Sequence, residues 1–177
     1  MSLRGHRQGS AAHVPTERYL IVSVAAQRFA LSADLIQGLL TLEESRSVGI
    51  LTVQGHDYPP LSLAGRLGLA EAGDGPEIRF VLVGRAGTRA CIRVEQVHGL
   101  VEVERDRVLP LPGQFRSDER NWYIGLILLE EGVAVGLNSA WLIEGAMQGG
   151  RGLVAHEERP PQLAHVVSEG MGRGLVC

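Results

Sequence analysis

Catalysis or metal binding in this 177-residue chain would have to be built from six histidines, two cysteines and scattered acids. His6, His13, His56, His98, His156 and His165 include no pair at i, i+4 and no H-E-x-x-H, so no helical metal site is spelled out. Cys91 and Cys177 alone exclude a four-cysteine zinc site or a multi-disulfide framework within one chain. Cys91 reads as a small core residue in mid-strand, and Cys177 as an exposed thiol that exposure alone does not make reactive. No serine sits in a G-x-S-x-G elbow. His98 reads as an ordinary strand-end histidine, and His56-Asp57 as a turn pair. Glu130 and Glu131 would face opposite sides of a strand, and between apolar runs they read as a solvated turn, not an acid/base pair. Gly73-Asp74-Gly75 and Gly145–Gly152 are weak phosphate-loop candidates, because neither leads from a strand into a helix. All 17 basic side chains are Arg. Without Lys there is no Schiff base, no pyridoxal-phosphate lysine and no Walker A lysine. The expectation is a protein with no catalytic residues, no metal and no cofactor.

The elements available to position any site are strands. Tyr19–Val24, Arg28–Leu31, Ile36–Leu42, Gly49–Val53, Tyr58–Leu63, Ile78–Val83, Arg89–Val94, Gly99–Val103, Trp122–Leu128 and Val133–Leu137 are short, mostly β-branched, and separated by turn signals. Only Leu63–Leu69 and Ser139–Ile143 read as helical. The gaps are too short for parallel crossovers, so the class is all-β, sandwich or barrel. A polar, flexible arm over 1–16 is expected, then one folded unit over 17–146, then a flexible tail over 147–177 rich in Gly, Arg, Glu and Pro. A net charge of −3 argues against general nucleic-acid binding. Apolar runs are too short for a membrane span, and no signal peptide is visible, which points to a cytoplasmic protein.

One stretch, Gly49–Leu69, combines a buried strand, a glycine turn at Gly55, a second strand stopped by Pro59, and a helical turn capped by Gly68. It resembles the hallmark of the CheW-like domain, the adaptor of bacterial chemosensory arrays. Gly49, Ile50, Leu51, Gly55, Pro59, Leu63, Leu67, Gly68 and Leu69 carry the resemblance. Val94, Val97 and Val101, with Glu95 where the family has Asp, resemble a second family segment, and Phe29-Ala30-Leu31 its opening hairpin. The likeness covers about 17–144. It departs at Thr52, Val53, Gln54 and Ser62, where the family shows Asn, Leu, Arg and Asp, and at Gly38, where a Glu is common.

The resemblance implies two small SH3-like five-stranded β-barrels around a shared core, with short helical turns. It implies a non-enzymatic scaffold coupling chemoreceptors to a sensor histidine kinase in a two-component pathway. The partners would be the kinase's regulatory domain and the chemoreceptor's cytoplasmic tip. Val53, Gln54 and Gly55 would lie at the receptor-facing turn, although plain turn geometry explains Gly55 equally well. Phe29, Leu63 and Val97 would be core. Alternatives are an adaptor of a pilus-motility or other chemosensory-type pathway, or a small β-barrel that binds a ligand or nucleic acid. For nucleic acid, Tyr58, Trp122 and Tyr123 would be the stacking surfaces.

Overall fold

In a computed structural model, the described residues are 15–41, 44, 49–71, 73 and 75–149. Twelve strands and two α-helices lie among them. The first strand, β1 (Thr16–Val24), turns tightly into β2 (Gln27–Ser32). The chain then leaves to form β3 (Ile36–Thr41), β4 (Leu51–Val53), β5 (His56–Tyr58), β6 (Pro60–Leu61), α1 (Leu63–Leu67), β7 (Arg79–Arg85) and β8 (Thr88–Val94). It returns as β9 (Gln96–Glu104), β10 (Val108–Leu109), β11 (Tyr123–Leu129), β12 (Gly132–Leu137) and finally α2 (Ser139–Gly149).

Two subdomains result. One is a six-stranded sheet in the order β10-β11-β12-β2-β1-β9. The other holds a four-stranded sheet, β3-β7-β8-β6, and the two-stranded hairpin β4-β5. Neither ladder closes into a ring of hydrogen bonds. The six-stranded sheet is instead joined end to end by the chain, because β9 runs through the 3-10 turn Arg105–Arg107 into β10.

Side-chain alternation explains how the central strands β1, β2, β7 and β8 bury both faces. On β1, Tyr19 and Ile21 join Ala30, Val103, Ile127 and Ala134 inside the first subdomain. Leu20, Val22 and Val24 face the other way. They meet Phe29, Leu31, Val81, Val83, Ile92 and Val94 in a core shared by the two sheets. Leu51, Tyr58, Leu82 and Cys91 form a third cluster on the far face of the second subdomain. Strands buried on both faces read as continuous apolar runs, which is why Tyr19–Val24 shows so little polar alternation. Phe29 and Leu63 are buried and Val97 packs partly against the shared core, in line with their expected roles.

Several expected boundaries move. Thr16 already pairs with Glu104, so β1 begins within the expected arm. Gly49 and Ile50 precede β4, and Ile50 is 60% exposed where a buried strand residue was expected. Trp122 ends the 3-10 turn Glu119–Asn121, and the strand begins at Tyr123. The second helix extends to Gly149, beyond Ile143 and into the expected tail. The rest of the arm and tail, 1–14 and 150–177, lies outside the described residues.

Candidate partner-binding site

The motif stretch folds into a projecting hairpin and the elements that anchor it. Leu51 pairs with Tyr58, Thr52 with Asp57, and Val53 with His56. Gln54 (φ 51°) and Gly55 (φ 76°) occupy the two turn positions. Two consecutive positive-φ residues between antiparallel strands make a type I′ turn, whose twist matches that of the strands. A Cβ on Gly55 would meet nothing within 4 Å, so backbone conformation, not packing, selects glycine there. Leu51 and Tyr58 fix the base of the hairpin in the third cluster. The Tyr58 hydroxyl donates to Gln37 Oε1 at 2.7 Å, and Thr52 Oγ1 donates to Asp57 Oδ1 at 2.7 Å. At the other end Gln54, Gly55, His56 and Asp57 are exposed, with Val53 half-buried.

Beyond the hairpin, Pro59 separates β5 from β6, and its carbonyl accepts the Cys91 N–H at 2.8 Å. The chain thereby passes to the edge of the four-stranded sheet, where β6 runs parallel to β8. Ser62 then caps α1: its Oγ accepts the Gly65 N–H at 2.8 Å and its hydroxyl also contacts the Glu71 carboxylate. The cap therefore survives where the family shows Asp, since Ser and Asp both suit it. Leu63 and Ala64 are buried, Leu67 packs beside them, and Gly68 closes the helix in the left-handed region (φ 68°). Pro59, Leu63, Leu67 and Gly68 thus frame the hairpin, Gln54-Gly55 is its tip, and Gly49 lies exposed just before β4.

Two clamps escaped the sequence reading. Glu95 accepts the backbone N–H groups of Ala25 (2.7 Å) and Ala26 (3.0 Å). Both alanines are left-handed, φ 50° and 58°, in the turn between β1 and β2. Second, the Arg66 guanidinium lies 4.0 Å above the Trp141 ring and donates to the carbonyls of Trp141 (3.0 Å) and Leu142 (3.2 Å). Partial burial holds its pKa below the usual arginine range, opposed by Glu144. Trp141 stacks on Trp122, with centroids 5.6 Å apart. Spacing along the chain gave no signal for either clamp, because the partners are about 70 residues apart.

The remaining chemistry-bearing residues stay separate. Burial pushes the Cys91 thiol up to about 11, away from thiolate chemistry. His98 Nε2 lies 2.7 Å from Ser23 Oγ. Among the described residues, no three His, Cys, Asp or Glu side chains are grouped so as to hold a metal ion. The aromatics weighed for nucleic acid are structural: Tyr58 is buried, Trp122 stacks on Trp141, and Tyr123 packs edge-on against Phe115. No helix among the described residues is long and apolar enough to cross a membrane.

Comparison with known proteins matches these features to one family. No curated protein matches the chain significantly. Among solved structures, it is similar to the scaffolding protein TtCheW from Thermoanaerobacter tengcongensis, with a TM-score of 0.58 at 17% identity, covering 70% of this chain and 90% of that one. The likeness supports a fold of two SH3-like subdomains, here with open ladders. The family model for the CheW-like domain matches residues 18–146. That span runs from β1 into α2, and the chain belongs to the CheW-like domain family of chemotaxis-type signalling scaffolds and adaptors.

Proposed function

We propose that this protein is a non-enzymatic, cytoplasmic adaptor that couples chemoreceptors to a sensor histidine kinase. Membership of the CheW-like family across the whole folded unit carries the reading. The β4–β5 hairpin supports it by presenting Gln54 and Gly55 at an exposed tip, beside the half-buried Val53, on a fixed base. The mechanism is linkage: receptor and kinase bind the same adaptor, and a receptor state that changes its contacts with the adaptor changes the kinase's binding free energy in turn. No chemical step is required of the adaptor.

The tip also bears on partner choice. Gln54 is neutral, so it offers hydrogen bonds where an arginine would offer a bidentate grip on a carboxylate. This favours a receptor whose contact at this point is polar and uncharged, and it leaves open an adaptor of a pilus-motility or other chemosensory-type branch. The test is a pull-down and titration of the full chain with the kinase's regulatory domain and with the receptor's cytoplasmic hairpin. Binding to both is expected. Absence of binding to either at high micromolar concentration overturns the proposal.

A further inference from the structure

The six-stranded sheet has an unfinished seam. Its last strand, β9, pairs with β1, and among the described residues no second strand pairs with it. The Arg105 N–H donates to the Pro15 carbonyl, which fixes the alternation of the β1–β9 ladder. Counting back in register, Leu100, Glu102 and Glu104 direct their backbone N–H and C=O groups away from β1. No backbone bond outside that ladder reaches these three residues among those described.

Facing this edge, β11 continues past its short partner β10, which pairs only with Leu126 and Ile127. Between them opens a crevice of about 260 Å³. Val101, Val103 and Leu129 line it on the side of the subdomain's interior. Glu102, Glu130 and Glu131 line it together with Arg28 and Arg107, and Arg28 already donates to the Glu131 carbonyl at 2.8 Å. Glu104 adds another exposed carboxylate on the same strand. Leu100, beside the free edge, is 62% exposed.

We propose that this seam receives an extended strand from another protein, with apolar and basic side chains alternating. Added to β9, such a strand satisfies the edge groups of Leu100, Glu102 and Glu104. Its apolar residues enter the crevice, and its basic residues meet the surplus of carboxylates at the rim. This site is separate from the β4–β5 tip, and its test involves neither receptor nor kinase.

The test uses the full chain and a synthetic nonapeptide of alternating Val and Arg. Amide exchange at Leu100, Glu102 and Glu104 is expected to slow at least about tenfold on saturation, as new backbone bonds form. A copy of the peptide N-methylated at alternate residues keeps charge and apolarity but loses the donors, and is expected to give no protection. Glu102→Arg is expected to weaken binding several-fold. The proposal is overturned if the edge amides stay unprotected, or if the methylated peptide binds equally well. It is also overturned if the free chain already protects them as a dimer, which would assign the seam to a second copy.

Discussion

At the scale of single residues, polar side chains hold unfavourable backbone in place. Ala25 and Ala26 sit where alanine costs about 1–2 kcal/mol each, and the Glu95 carboxylate offsets that through charge-assisted bonds to both amides. Glu95→Ala should therefore destabilise the chain by about 2 kcal/mol in chemical denaturation. Ala26→Gly in the same background should restore part of it. Glu17 gives a pH signature. The Tyr19 hydroxyl, donating at 2.6 Å, holds its carboxyl below the usual carboxylate range, and Arg105 adds to the effect. A depressed folded-state pKa contributes stability above the unfolded value and loses it as pH falls through the folded one. Acid titration of stability should show this loss below about pH 4.5, and Tyr19→Phe should flatten it. At the tip, Gln54→Arg should leave stability nearly unchanged. It should tighten binding to a receptor hairpin carrying a carboxylate there by about two- to fivefold, measured calorimetrically.

At the scale of elements, α1 and α2 are locked together by one side chain. Arg66 bonds two α2 carbonyls and covers Trp141. A Cβ at Gly145 would overlap the Arg66 guanidinium at Nη1. Gly145→Ala must therefore displace the guanidinium, and it should lower stability by about 1–3 kcal/mol, with Trp141 fluorescence reporting the movement. Arg66→Ala should cost a similar amount, and adding Gly145→Ala to it should cost little more. The same glycine shows why sequence reading stopped the helix early. Gly145 and the glycines after it are loop signals locally, yet Leu142, Ile143 and Ala146 continue a core-facing stripe. Most strands were legible, because their apolar runs and turn residues act over a few positions. The short β10 and the Glu95 and Arg66 clamps were not, since each depends on partners brought close only by the fold. The candidate site was legible as a turn at Gln54-Gly55. The exposure of Ile50 was not, as its apolar character gives no hint that β4 starts one residue later.

At the scale of the whole molecule, the two subdomains are interleaved. The second is an excursion from the first, running from Ile36 to Val94 between β2 and β9. A shared core joins their sheets, and α2, continuing from the first subdomain, packs against β6 and β8 of the second. Core substitutions on either side, such as Val22→Ala or Val83→Ala, should lower one common unfolding midpoint rather than split the transition. The interleaving also bears on synthesis. The pairing of β2 with β12 joins Phe29 to Val135 and Ala30 to Gly136. On a translating ribosome, the β1–β2 hairpin emerges long before either strand that flanks it in the sheet. The face carrying Tyr19, Ile21 and Ala30 stays uncovered while about a hundred further residues are added, at rates of about 5–20 residues per second. The excursion has all its own strands by Val94 and so can assemble first. The earliest-made hairpin is then the last to be completed, and its Tyr19, Ile21 and Ala30 face is exposed on the nascent chain until β9–β12 arrive.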